Sequence, residues 1–118
     1  MNKNKSNEVP CPSCGFYSIG ESIFGSFNIC DICGWEDDNV QLANPSSSGG
    51  ANKISLIESQ IIILNKIPLE IKEYNGIKRD RKWRPLNKQE IAKFNKEKEI
   101  KYWKNMGIIN ISETYWMK

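Results

Sequence analysis

The sequence predicts a small α+β protein: a β-hairpin lobe over residues 1–52, followed by a helical region over residues 53–118 packed on it. Three observations carry this reading. All four cysteines fall in two Cys-x-x-Cys-Gly units before residue 35, with aromatic and β-branched segments between them. Two helix-opening signatures, at Ser55 and Asn87, stand ahead of the apolar segments of the second part. The charge also changes sign: residues 1–52 hold two lysines and six acidic residues, whereas residues 53–118 hold fifteen Lys/Arg and eight acidic residues, within a total net charge of +3.

The elements follow in order. Residues 1–8 read as a disordered polar arm, with no apolar stretch of the kind a signal peptide carries. Residues 16–19 and 26–29 are rich in aromatic and β-branched side chains and read as strands. Gly20 and Gly25 bracket their connection, so the two should pair as a hairpin. Residues 36–52 read as a loop, acidic at Glu36, Asp37 and Asp38. By Ser/Gly content alone, residues 44–50 read as a flexible linker.

Ser55 and Glu58 form a capping box, which predicts a helix over about 56–66, stopped by Pro68. Its run Ile61-Ile62-Ile63-Leu64 is apolar on nearly every side and should be buried, though its β-branched content leaves a strand open. Asn75-Gly76 marks a turn, and residues 77–85 form a basic connector. Asn87 and Glu90 predict a second helix over about 88–106, with Gly107 as its stop. Ile91, Phe94, Tyr102 and Met106 share one side of it, and Ile100 lies opposite. Residues 108–116 read as a terminal strand or docking tail.

The first 50 residues are poor in large apolar side chains. A unit of that size needs a staple to fold, and the cysteines lie there. Cys11 and Cys14 make one Cys-x-x-Cys pair and Cys30 and Cys33 the other, with fifteen residues between the pairs. This is the spacing of a zinc site, in which each pair supplies two ligands from one tight turn. A glycine follows each pair, and its tolerance of positive φ lets the turn aim backbone N–H groups at the thiolates. The chain has no histidine, so the set is Cys₄ and the lobe is zinc-ribbon-like. One Zn²⁺ per chain is expected. Four protein ligands leave no place for a catalytic water. Iron in a rubredoxin-like site and a redox pair of thiols remain the alternatives.

Cys11-Pro12-Ser13-Cys14-Gly15, the stretch Cys30-Asp31-Ile32-Cys33-Gly34-Trp35-Glu36-Asp37-Asp38, then Gln41, Gly49-Gly50-Ala51-Asn52 and Ser55-Leu56 together resemble the bacterial cysteine-rich CPCC family. The match covers roughly residues 9–60. The family's third motif position is cysteine, and here it is Ser13. This departure removes any fifth ligand and counts against a redox role for the pair. The resemblance implies a small metal-binding domain and no particular activity. It also implies that residues 49–56 are a fixed motif on the metal lobe rather than a free linker.

Two further patches have both a packing and a recognition reading. The Trp35-Glu36-Asp37-Asp38 stretch is either a recognition patch or a tryptophan shielding the cysteine turns followed by solvated acids. Residues 78–84 interleave cations with an aromatic ring, as nucleic-acid binders do. The competing reading is a solvated connector with Trp83 turned inward. Flanked by turn signals and Pro85, Arg79, Arg81 and Arg84 are expected to be exposed, and with Trp83 they are the candidate partner surface. Tyr102 and Trp103 read as packing residues.

Without histidine, the usual triads and His-based acid–base chemistry are absent, and no phosphate-binding glycine loop occurs. The expected function is a non-enzymatic, structural-zinc protein of the cytoplasm. It would act as a protein-binding module, with toxin neutralisation of the immunity type or an adaptor role as examples. Zinc-ribbon nucleic-acid binding is the alternative, and a thiol redox protein is a further one.

Overall fold

A computed structural model of the chain describes residues 7–118; residues 1–6 of the expected N-terminal arm lie outside the described residues. Three helices and one two-stranded antiparallel sheet make a mixed α+β architecture. In order these are α1 (Asn39–Ala43), α2 (Leu56–Lys66), β1 (Glu73–Tyr74), β2 (Ile77–Lys78) and α3 (Lys88–Ile100), followed by two 3₁₀ turns at Ile111–Glu113 and Tyr115–Met117. Among the described residues no helix is long and apolar enough to cross a membrane.

The expected hairpin between residues 16–19 and 26–29 does not form. Each segment finds an antiparallel partner elsewhere. Phe16 bridges Arg79, and Tyr17 N–H donates to Lys78 O, so the first segment lies against β2. Ile29 bridges Glu36, Phe27 N–H donates to Asp37 O and Asp37 N–H donates to Asn28 O, so the second folds back on the residues just after its own cysteine turn. That pairing closes a far shorter loop. It is held by the buried Asp37 carboxylate, which accepts from Gly25 N–H, Ser26 N–H and the Ser26 hydroxyl. The one regular hairpin is β1–β2, in register Glu73 with Lys78 and Tyr74 with Ile77 around the Asn75-Gly76 turn.

Helix α2 starts as its capping box requires. Ser55 Oγ accepts from Glu58 N–H, and the Glu58 carboxylate accepts from Ser55 N–H. Leu56, Ser59, Gln60 and Ile63 form its buried face, spaced three and four residues apart. The four-residue apolar run is therefore helical, but most of it is not buried: Ile61 is 58% and Ile62 50% exposed. A helix lying on a core covers one stripe only, and these two side chains point away from it.

Helix α3 opens at Asn87 with a reciprocal Glu90 contact. It ends at Ile100, six residues before the expected end at 106. Beyond it the chain is drawn across α1. Asn44 and Asn105 exchange hydrogen bonds, Asn44 Nδ2 to Asn105 O at 2.8 Å and Asn105 N–H to Asn44 Oδ1 at 2.9 Å, and Ser47 Oγ donates to Tyr102 O. These contacts need a non-helical backbone at 101–105, which is extended at Lys101 and turns at Tyr102 and Trp103. The terminal segment forms no strand; it makes the two 3₁₀ turns that bury Trp116 against Phe24.

One core runs through both halves. It joins Val9, Phe16, Ile19, Phe24, Trp35 and Leu42 to Leu56, Ile63, Trp83, Leu86 and Trp116. Opposite net charges do not bring the halves together by ion pairing. Among the described residues, the ion pairs are Arg84–Glu90 and Lys104–Glu97, both within the basic half.

Candidate metal centre

Each cysteine pair sits in a knuckle of the same local form. Cys11 N–H donates to Phe16 O and Gly15 N–H to Cys11 O; in the second, Cys30 N–H donates to Trp35 O and Gly34 N–H to Cys30 O. Both glycines have positive φ, +82° at Gly15 and +81° at Gly34, the region that side chains disfavour. The repeat in sequence is thus a repeat in backbone geometry.

Facing each other, the knuckles bring the four sulfurs together, all within 4.8 Å of one another. Cys11 Sγ lies 3.6 Å from Cys33 Sγ, and Cys14 Sγ 3.7 Å from Cys30 Sγ. Ligands at 2.3 Å from one ion and at tetrahedral angles would be about 3.8 Å apart. The sulfurs therefore fit a single metal ion. Cys11, Cys14 and Cys30 are buried and Cys33 is half-buried.

The electrostatics agree with a site built for a cation. Burial pushes the Cys11 thiol up, while hydrogen bonds from the Cys11, Cys14 and Cys33 thiols hold Cys30 down. Cys30 Sγ is further served by Ser18 Oγ at 2.8 Å and by the Ile32 and Cys33 N–H groups, each at 3.4 Å. Four thiolates this close repel one another, so a bound cation is what lets all four ionise together. Ser13, at the position where the family carries cysteine, is buried and turned away from the sulfurs to pair with Ser59 Oγ.

The first knuckle is held from outside by the C-terminal half. Gln60 Nε2 and Trp83 Nε1 both donate to Pro12 O, and Asp80 N–H donates to Gly15 O. Asp80 also accepts from the Tyr17 hydroxyl and from Trp83 N–H. The Trp83 ring lies so close over Gly15 that a Cβ there would come within 2.5 Å of it.

Two of the residues expected to meet a partner are therefore internal. Trp83 is 3% exposed and Arg79 4%. Arg79 has no carboxylate partner. Its guanidinium donates to the carbonyls of Cys14, Ile67, Pro68 and Ile71 and sits over the Phe16 ring. Burial lowers its pKa, but the guanidinium remains charged. Arg84 is half-buried, paired bidentately with Glu90. Of the four, Arg81 alone is exposed. The basic strip looked like solvated connector because nothing in a run of cations signals that one of them will be spent on backbone carbonyls.

The acidic stretch is likewise internal wiring rather than a recognition patch. Asp38 caps α1 and accepts from Ala51 N–H. Buried Gln41 is the hub. Its Nε2 donates to Ser47, Asn52 and Ile54 carbonyls, and its Oε1 accepts both N–H groups of Asn52. Gly50 passes so close that a Cβ would lie 2.7 Å from Asp38 Oδ2. Residues 49–56 are thus fixed on the metal lobe, as the family resemblance implies, and composition alone misread residues 44–50 as a flexible linker. Gln41 stood out in the sequence only through the family resemblance, and Gln60 carried no signal in periodicity or charge; their buried side-chain amides mark both.

No curated protein matches the chain. Among protein families, residues 9–64 match the one described as Cysteine-rich CPCC, a segment that takes in all four cysteines, the acidic stretch, the Gly-Gly turn and most of α2. Residues 9–64 are thus similar to the cysteine-rich CPCC family, and the four cysteines of that segment are gathered into one metal-sized site.

Proposed function

We propose that Cys11, Cys14, Cys30 and Cys33 hold one zinc ion as a structural centre, and that the protein is a non-enzymatic protein-binding module. The sulfur spacing of 3.6 and 3.7 Å carries the metal reading. The donor set is complete within the chain, which suits a structural ion rather than one that must admit water or substrate. The same sulfurs would accept iron, and metal analysis of protein purified without added metal separates the two. About one zinc per chain is expected. Chelation should then lower the melting temperature, because binding free energy at such a site is folding free energy. A metal-free preparation that melts at the same temperature would refute the reading.

The module reading rests on Ile61 and Ile62, adjacent and exposed on the outer side of α2, with Arg81 at the edge of the basic hairpin. Together they suit a protein partner that offers apolar and acidic side chains, as a neutralised toxin or the client of an adaptor would. Pull-down with the full chain, repeated with Ile61→Glu/Ile62→Glu, tests it: a partner retained equally by both proteins argues against this surface. Nucleic-acid binding has one observation in its favour, a cleft of about 440 Å³ lined by Lys72, Lys78, Arg79 and Arg81 against a single acid, Glu73. A duplex mobility shift whose salt slope falls by ~0.9 for each of Lys72, Lys78 and Arg81 removed would establish that reading instead.

A further inference from the structure

We propose that Cys33 is the thiol through which small oxidants enter the centre, and that hydroperoxide attack there ends in a Cys11–Cys33 disulfide that frees the metal. The proposal rests on the reading that the four thiols hold a metal ion. It goes beyond that reading in assigning a modification site.

The two knuckles share a backbone form but not a cover. Trp83 closes over Gly15, and Arg79 Nε and Gln60 Nε2 grip the carbonyls of Cys14 and Pro12. Over Gly34 the described residues place nothing: a Cβ built there meets none of their atoms within 4 Å. Asp31 and Gly34 are exposed, and Cys33 is the one ligand that is not fully buried. It opens on a recess of about 260 Å³ lined by Cys33, Gly34, Glu36, Asn52, Lys53 and Ser59. A single water occupies about 30 Å³ of liquid, so a hydroperoxide fits easily.

Reactivity points the same way as access. Cys30 Sγ receives Ser18 Oγ and two backbone N–H groups, which stabilise its negative charge and dull it as a nucleophile. Among the described residues, no hydroxyl or backbone N–H donates to Cys33 Sγ, which lies 3.6 Å from Cys11 Sγ. Cys33 therefore has both the open approach and the less stabilised charge.

The chemistry balances with hydrogen peroxide as oxidant. The Cys33 sulfur attacks one peroxide oxygen; the S–O bond forms, the O–O bond breaks, and the departing hydroxide takes a proton to become water. Cys33 is now a sulfenic acid, oxidised by the two electrons that reduced the peroxide. Cys11 Sγ, 3.6 Å away, attacks the Cys33 sulfur. The S–S bond forms, the S–O bond breaks, and the hydroxide again leaves as water with a proton. Cys14 and Cys30 then remain as donors, too few to hold the metal. The disulfide joins the two knuckles instead of closing either Cys-x-x-Cys pair.

The test uses the metal-loaded full chain. Substoichiometric N-ethylmaleimide should label Cys33 ahead of each other cysteine by about tenfold, located by fragmentation of the intact protein. Hydrogen peroxide, added with a chromophoric chelator, should release one metal per disulfide formed. Alkylation afterwards should find Cys14 and Cys30 free. First labelling at Cys11, Cys14 or Cys30, or a disulfide within either pair, overturns the proposal while leaving the metal reading intact. Protein that carries no metal before oxidation overturns both. The mapping is done on the natural sequence, so it does not depend on any cysteine variant folding.

Discussion

Replacing Arg79 with alanine should destabilise the protein severely, although the residue lies in a run of cations that reads as solvated connector. Its guanidinium makes four hydrogen bonds, to Cys14 O at 2.8 Å, Pro68 O at 2.6 Å, Ile71 O at 3.0 Å and Ile67 O at 3.2 Å. Removal strands the carbonyls of Cys14, Ile67 and Ile71 at the junction of the first knuckle, the end of α2 and the turn before β1, whereas Pro68 O keeps the Ile71 N–H as donor. A stranded buried acceptor costs about 1–3 kcal/mol; taking the low end, since water enters part of the space left, gives about 3 kcal/mol for the three. Loss of the guanidinium from the Phe16 face, 4.4 Å from the ring centroid, adds about 1 kcal/mol. The variant no longer desolvates a charge that lacks a counter-ion, which returns part of the loss. The net is about 2–3 kcal/mol, a large part of the ~5–15 kcal/mol that holds a typical domain folded. Urea unfolding of the metal-loaded protein, followed by circular dichroism, measures it against Arg81→Ala. That control removes an exposed charge and should stay within ~0.5 kcal/mol of the parent. An Arg79→Ala variant within ~1 kcal/mol of the parent would show that its carbonyl contacts do not bear on stability.

Gly15→Ala should be far more damaging than Gly34→Ala. Both place a side chain at positive φ, a strain of about 1–2 kcal/mol, but only at Gly15 does the new Cβ strike the Trp83 ring; equal losses in thermal melts would refute the knuckle asymmetry. Cys30→Ser should abolish stoichiometric metal binding, whereas Ser13→Ala should retain the metal and lose about 1 kcal/mol with the Ser13–Ser59 hydrogen bond; elemental analysis with melting curves separates the two. The hydrogen bonds from Arg84 hold the Glu90 carboxyl below its usual range. Its contribution is therefore present above the unfolded carboxyl value of about 4.3 and is lost as pH falls through the lower folded value. The pair is partly exposed, so Glu90→Gln should cost under ~1 kcal/mol at neutral pH and nothing once the parent's Glu90 is protonated. A cost that persists at the lowest pH at which both proteins stay folded would contradict this.

The grouping of the four cysteines was legible in the chain itself. Two Cys-x-x-Cys-Gly units determine their own turn geometry, because the glycine and the hydrogen bonds back to Cys11 and Cys30 are local. The starts of α2 and α3 were legible for the same reason: Ser55 with Glu58 and Asn87 with Glu90 satisfy each other within four residues. What required the tertiary structure was every pairing over distance. Residues 16–19 and 26–29 have strand composition, but composition does not name a partner, and β2 and residues 35–37 outcompeted the expected one. Ile61 and Ile62 are as apolar as Ile63, and only the placement of the core decided which was covered. Helix α3 stopped early because Asn44, just past the end of α1, exchanges hydrogen bonds with Asn105. Arg79 and Arg81 are two residues apart and chemically identical. The fold buries one against four carbonyls and leaves the other in water, because a side chain's role is set by which unsatisfied backbone groups lie within its reach.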